Sequence, residues 1–423
     1  MKINHVCIVG LGYIGLPTAA LIASKGISVT GYDVKPQVVD TVNNGSTHIV
    51  EPDLEALVNS EVNAGHLKAS STPNCADVFV LAVPTPVMEK NKAPNLSFVE
   101  DACKTIAPFL QPNNLVILES TSPVGTTEDI TNLLARLRPD LNFPTTHYEE
   151  ADIKIAYCPE RVLPGNVLNE LVLNDRIIGG MSKSCSHAAV NFYKLFIHSE
   201  CLITNARTAE LVKITENSFR DVNIAFANEL SMICGNLNVD VWELIRLANR
   251  HPRVSILKPG PGVGGHCIAV DPWFIVSKSP GLARLIRTGR EVNDEKPIWV
   301  LNEILLSIGK YLVENKTFCS TDLKIACYGL AFKPNIDDLR ESPALKITEM
   351  LAEKFPNQIL VVEPNIKILP VNLDEKVRLV EISEATDVAD FHIFLVEHNE
   401  FRNILQNKNL SKNVCIDAVG ILS

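Results

Sequence analysis

His5-Val-Cys-Ile-Val-Gly10-Leu-Gly12-Tyr-Ile-Gly15 runs from an apolar strand, through three spaced glycines, into a helical pattern. The next apolar run ends on Asp33, about twenty residues beyond Gly12. Each residue type has a physical task in such a turn. Gly10 permits the tight bend, Gly12 lets main chain approach a pyrophosphate, and Gly15 lets helix and strand pack closely. The helix N-terminus offers N–H groups to the anion. A carboxylate at Asp33 accepts from a ribose diol and repels a 2′-phosphate, which selects NAD over NADP. Further on, Val83-Pro84-Thr85-Pro86 closes a later strand at the edge where such sheets bind ligands; Thr85 reads equally as a cofactor contact or as part of a structural turn.

Working outward, apolar runs at 5–10, 28–33, 77–83, 114–119, 153–158 and 176–180 alternate with helical patterns such as 14–24 and 98–109. That alternation predicts βαβ units and a parallel sheet covered on both faces. From 207 to 237 there is neither Pro nor a strand-like run, which predicts one long helix. Helical segments continue to 249, a Pro/Gly-rich loop follows, and helix resumes from 297 to 314. Strands then return at 323–330, 358–363, 391–396 and 414–417, with a helix over 343–354. The fold class expected is α/β: two Rossmann-like, doubly wound, parallel-sheet domains (1–205 and 315–423) joined by an all-helical central domain (206–314) with a long helix.

The 423 residues are 46% hydrophobic and 21% charged, enough apolar material for large cores and too much for disorder. A net charge of −10 without a basic block argues against nucleic acid or an anionic membrane surface as partner. Eleven cysteines with no C-x-x-C pair and no His/Cys cluster fit a reduced intracellular protein and no metal. The uncharged run 6–23 has spanning length, but its glycines and Pro17 belong to the dinucleotide turn, so a cytoplasmic protein is expected.

On the long helix, Lys213, Asn217 and Arg220 follow at i, i+4 and i+7 and share one narrow stripe. Leu211, Val222, Phe226, Leu230 and Ile233 gather on the other side, a back suited to core or dimer packing. The stripe alone could be a solvated face. The loop after it, Pro259-Gly-Pro-Gly-Val-Gly-Gly-His-Cys267-Ile-Ala-Val-Asp271-Pro272-Trp, shifts that balance. Its glycines predict that something approaches the backbone closely, and a cysteine emerging from it is a candidate nucleophile. Asp271 before Pro272 also suits a helix N-cap.

These motifs occur in the order of a known family. The glycine turn, Glu119-Ser-Thr121-Ser-Pro-Val-Gly-Thr126-Thr, Cys158-Pro-Glu160-Arg161, Lys213…Asn217, Gly-Gly-His-Cys267…Asp271 and Gly329-Leu-Ala-Phe332-Lys333…Arg340-Glu-Ser together resemble the UDP-glucose/GDP-mannose dehydrogenase family over the whole chain. His251-Pro-Arg253-Val and the Gly-Gly-His-Cys loop resemble its hexosamine branch; the glucose branch typically has Gly-Gly-Ser-Cys.

The resemblance implies NAD as cofactor, a UDP-N-acetylhexosamine as substrate, a homodimer through the helical middle, and a product destined for bacterial surface polysaccharide. Two successive oxidations would take a primary alcohol to a carboxylate. An aldehyde has no oxyanion to expel hydride, so a thiolate must add first; hence the need for a cysteine. By resemblance the catalytic set is Cys267, Lys213, Asn217, Asp271, Glu160 and Thr121. The cofactor set is Gly10, Gly12, Tyr13, Ile14, Gly15, Asp33, Thr85, Thr126 and Arg340. The substrate set is Glu160, Arg161, Lys213, Asn217, Arg220, His251, Arg253, Gly264, Phe332 and Lys333. For each cation the alternative is an ordinary surface salt bridge.

Two positions depart from the family pattern. Pro164 stands where the glucose branch has a second Glu, and Ala418-Val419 follows Asp417 where the family commonly has Thr and then Arg or Lys. Competing readings are the glucosamine epimer as substrate, a single-step hydroxyacid-type dehydrogenase, and a catalytically silent sugar-nucleotide sensor.

Overall fold

The computed structural model describes all residues except 1, 89, 163–164, 266, 316–320, 322, 374, 403–413 and 423, so Pro164 and His266 lie outside the described residues. By internal packing the chain divides into two compact units, 1–216 with 273–279, and 217–272 with 280–423.

The first unit carries an eight-stranded sheet. In chain order its strands are β1 (His5–Val9), β2 (Ser28–Tyr32), β3 (Leu67–Ser70), β4 (Val78–Leu81), β5 (Leu115–Leu118), β6 (Lys154–Tyr157), β7 (Arg176–Gly180) and β8 (Cys201–Asn205). The spatial order is β3-β2-β1-β4-β5-β6-β7-β8. The first six strands have the doubly wound 3-2-1-4-5-6 arrangement, all parallel. The continuous apolar runs follow from coverage on both faces. In β1, Val6 and Ile8 enter one core cluster while Cys7 and Val9 enter the other. Each fully buried Leu, Val or Ile side chain contributes about 1.5–3 kcal/mol, more than the ~1 kcal/mol net of a ladder hydrogen bond, so burial sets the sheet's position.

The expectation of a wholly parallel sheet needs correction. β7 runs antiparallel to β6, and β8 pairs parallel with β7, so the last two strands are reversed. Gly179 and Gly180 let the end of β7 pack against neighbouring backbone and side chains without a Cβ. A Cβ on Gly180 would lie 2.4 Å from Ser186 N, and one on Gly179 would lie 2.6 Å from Ala209 Cβ.

In the second unit, β9 (Ile325–Tyr328), β10 (Ile359–Val362), β11 (Val377–Leu379), β12 (Phe391–Phe394) and β13 (Val414–Asp417) form a parallel sheet of order β11-β10-β9-β12-β13. It too is filled on both sides, with Ile325 and Cys327 in one cluster and Ala326 and Tyr328 in the other. The long helix is Ala206–Leu237, as expected. The other long helix begins thirteen residues earlier than its expected start at Pro297: it is Arg284–Glu314, with Pro297 inside. A mid-helix proline costs about 3 kcal/mol. Burial of Val300, Leu301, Ile304 and Ile308 offsets it. No helix among the described residues is long and apolar enough to cross a membrane, and no disulfide links the described cysteines.

Candidate active site

In the first unit the glycine turn lies at the upper ends of β1 and β4, where the strand order reverses. Gly10 has φ +95°, and a Cβ there would sit 2.7 Å from Ala82 O. A Cβ on Gly15 would sit 1.8 Å from Gly10 O, so helix and turn touch through bare backbone. Gly12 is different: nothing lies within 4 Å of its Cβ position. Its missing side chain relieves no internal clash and leaves open a face that a phosphate can approach. Asp33 accepts from Leu11 N and Lys35 N, each at 2.9 Å, one per carboxylate oxygen. The carboxylate is only half-buried and retains acceptor capacity for a diol. The residues therefore fit a dinucleotide with an unphosphorylated ribose. Tyr13 is exposed, and Ile14 and Thr85 are half-buried. Thr126 is buried with its hydroxyl donating to Pro123 O at 2.7 Å.

The turn before Thr126 is fixed by a residue that sequence reasoning missed. Buried Glu210 accepts from Gly125 N, Thr127 N and Thr127 Oγ1 at 2.6–2.7 Å. Glu160 is buried too. Its Oε1 accepts from Arg161 N at 2.7 Å, and its Oε2 is ion-paired with buried Arg176. Arg176 lies over the Tyr193 ring, and Tyr193 donates to Glu119 at 2.6 Å. Burial pushes the Glu119 carboxyl up to about 7, with Arg176 opposing the shift and Glu160 adding to it. Neither Arg176 nor Tyr193 was named from the sequence; Arg176 reads there as the start of a strand. Thr121 is half-buried. Arg161 is paired with Glu216 at 2.7 Å, the salt-bridge alternative foreseen for it.

Two of the three residues of the polar stripe on the long helix are buried. Lys213 and Asn217, one turn apart, are 9% and 8% exposed, so the solvated-face reading fails for both. Arg220 is exposed, as are Leu211, Phe226 and Ile233 on the apolar back.

In the second unit, Asn217 Nδ2 donates to Asp271 Oδ2 at 2.5 Å, with both side chains buried. Asp271 begins the helix Asp271–Lys278, and its N–H is bonded to Cys267 O at 2.9 Å. One short path thus joins the exposed Cys267 to Asp271 and Asn217. Burial holds the thiols of Cys7, Cys103, Cys158 and Cys327 up to about 12, which makes them inert.

The close approach expected at the glycine loop is made by the chain itself. A Cβ on Gly264 would lie 2.5 Å from Glu341 O, and one on Gly265 would lie 2.8 Å from the Phe332 ring. Gly265 N also donates to Arg340 O at 3.1 Å. Phe332 and Lys333 are half-buried. Arg340 is exposed and paired with Asp338 at 2.6 Å. His251 and Arg253 occupy an exposed turn in which Arg253 N donates to His251 Nδ1 at 3.3 Å. At the C-terminal departure, Asp417 accepts from Val419 N, Gly420 N and Leu422 N, so the last strand is seated and closed by its own turn.

Three consecutive segments match the models of one family: the NAD binding domain over residues 4–197, the central domain over 207–295 and the UDP binding domain over 326–423. The chain belongs to the UDP-glucose/GDP-mannose dehydrogenase family. Within it, the chain is 55% identical over 421 residues to the UDP-N-acetyl-D-mannosamine dehydrogenase of Escherichia coli K12, covering 100% of both chains. It is 54% identical over 418 residues to the NDP-N-acetyl-D-galactosaminuronic acid dehydrogenase of Ralstonia nicotianae, covering 99% of this chain and 96% of that one. Among solved structures, the UDP-D-ManNAc dehydrogenase of Pyrococcus horikoshii matches with a TM-score of 0.85 at 36% identity, over 99% of this chain and 96% of the other.

Proposed function

We propose that this family member is an NAD-dependent UDP-N-acetyl-D-mannosamine dehydrogenase that oxidises the C6 alcohol of its substrate to a carboxylate. The observation that carries this is the Cys267–Asp271–Asn217 arrangement: a thiol on a glycine-rich loop, tied through main chain to a buried carboxylate–amide pair. A single-step hydroxyacid-type dehydrogenase has no use for a nucleophile there.

Gly10, Gly12, Gly15 and Asp33, with Tyr13, Ile14, Thr85, Thr126 and Arg340 assigned by family resemblance, hold NAD. When bound, NAD supplies the hydride acceptor, one molecule for each of the two oxidations. Lys213 accepts the alcohol proton and, with Asn217, stabilises each oxyanion as it develops. Cys267 adds to the aldehyde carbon, giving a tetrahedral thiohemiacetal whose oxyanion can collapse; the resulting thioester is hydrolysed by water. Asp271, Glu160 and Thr121 position that water and move its protons. Arg161, Arg220, His251, Arg253, Gly264, Phe332 and Lys333 line the sugar nucleotide.

The Ralstonia relative, at nearly equal identity, favours one second reading, a galactosamine-configured substrate. Purified protein with NAD and UDP-N-acetyl-mannosamine, -glucosamine or -galactosamine separates the readings by NADH counted per sugar. The expected result is two NADH per mannosamine sugar and a product with one added negative charge. One NADH would indicate a simple alcohol dehydrogenase, and none a silent sensor. The exposed back of the long helix, with Phe219, Phe226 and Ile233 seven residues apart, supports a homodimer through the helical region 206–314. A monomer by light scattering at micromolar concentration would remove that part. The cytoplasm suits an enzyme that consumes NAD.

A further inference from the structure

The two sheets carry the same opening turn, used differently. In the first, Gly10 has φ +95°, Gly10 N bonds to Tyr32 O at 2.8 Å, and the acid ending the neighbouring strand, Asp33, accepts from Leu11 N. In the second, Gly329 has φ +93°, Gly329 N bonds to Val362 O at 2.8 Å, and the matching acid, Glu363, accepts from Leu330 N at 2.7 Å. Asp33 keeps its carboxylate half-open. Glu363 is buried, and its carboxylate is taken up by groups of its own unit: Ala331 N at 3.1 Å on the same oxygen as Leu330, and Asn365 N and Nδ2 at 3.0 and 3.2 Å on the other. An acid so occupied has no capacity left for a ribose diol.

Buried His398 completes the arrangement. Its Nδ1 accepts from Asn335 N at 2.9 Å, so Nδ1 is unprotonated and Nε2 is the donor to Glu363 Oε2 at 3.1 Å. Asn335 Oδ1 in turn accepts from Asn399 N at 3.0 Å, and Asn335 sits at φ +61°. Glu363 thus holds the start of the segment 330–335, and His398 holds its end. Phe332 and Lys333 stand between the two anchors.

We infer that Glu363 and His398 are positioning residues that clamp the segment 330–335 so that Phe332 and Lys333 are preorganised for the uridine diphosphate, and that the same bonds close this second turn to a dinucleotide. The inference rests on the functional reading above for its ligand. A pair serving only the core would have no reason to direct its bonds to both ends of one loop. The cost of disordering that loop falls on ligand binding, because a ligand must then order it.

The test uses the full-length protein, with UDP and NAD as separate probes, titrated calorimetrically, and amide hydrogen exchange followed in parallel. His398→Gln keeps a donor toward Glu363 and loses the acceptor for Asn335. It is expected to weaken UDP binding about tenfold, to leave NAD within about twofold, and to speed exchange across 330–335. His398→Asn restores an acceptor near the Nδ1 position and is expected to recover UDP affinity to within about threefold. Glu363→Gln, close to isosteric, provides an independent arm with the same expected selectivity should the first variant fold poorly. UDP binding unchanged in a variant whose loop exchanges faster would overturn the clamp, and so would equal losses for UDP and NAD. Wild-type protein that does not bind UDP would instead overturn the functional reading from which the clamp takes its ligand.

Discussion

Asn217 Nδ2 and Asp271 Oδ2 lie 2.5 Å apart, both out of solvent, joining the long helix to the first residue of the helix that follows the cysteine loop. An amide held this way can present its oxygen or its second N–H to substrate only in one orientation, and the carboxylate sets which. Asp271→Asn keeps the shape and an acceptor but removes the charge. The expected outcome is a fall in kcat of about 10²-fold or more with NAD affinity within about twofold, measured by steady-state NADH formation and NAD titration. Equal losses in both would mean that Asp271 only caps its helix.

The glycines of the dinucleotide turn should separate stability from binding. Gly15→Ala places a methyl 1.8 Å from Gly10 O and should lower stability by several kcal/mol, roughly the upper end of overpacking costs, seen as a fall in Tm. Gly12→Ala meets nothing within 4 Å and should leave Tm within about 2 °C while weakening NAD about tenfold or more. A Gly12→Ala protein that binds NAD normally would place the cofactor elsewhere.

Much of this was legible in the sequence because glycine spacing and strand hydrophobicity are local signals. The six strand runs of the first half became β1, β2, β4, β5, β6 and β7, and the helix 343–354 appears with those bounds. β3, β8 and β11 were missed: polar residues interrupt or end each, as in Leu67-Lys-Ala-Ser70 and Val377-Arg-Leu379, so none is a continuous apolar run. The reversal of β7 is a matter of tertiary pairing with β6, which no window of sequence displays. The partners that hold site residues in place were hidden for the same reason. Arg176, Glu210 and His398 lie sixteen, eighty-three and thirty-five residues from the groups they fix. Glu363 illustrates the limit most sharply, since from sequence a strand-terminal acid after a glycine turn looks the same whether it faces a ligand or its own loop.

Glu119 makes stability depend on pH. Its carboxyl is raised from 4.5 to about 7 by burial, so the folded state binds the extra proton between those values. The favourable contribution is complete below about 4.5 and is lost as pH rises through about 7. Glu119→Gln retains an acceptor for Tyr193 and cannot ionise. The variant should therefore gain Tm relative to wild type as pH rises from 5.5 to 8, by thermal melts in matched buffers. Parallel wild-type and variant curves would show that Glu119 does not titrate in this range.

Lys213 should matter to turnover more than to binding. Lys213→Ala is expected to lower kcat by about 10²–10⁴-fold while NAD affinity stays within about twofold. Equal losses in both would mark a structural lysine.

The most direct measurement is the uronate formed by Cys267→Ser protein under saturating UDP-N-acetyl-D-mannosamine and NAD, with sugar-nucleotide binding followed alongside. Binding within about threefold of wild type, with uronate formation down by about 10³-fold or more, is the expected result. Uronate produced at the wild-type rate would contradict covalent capture of the aldehyde by Cys267.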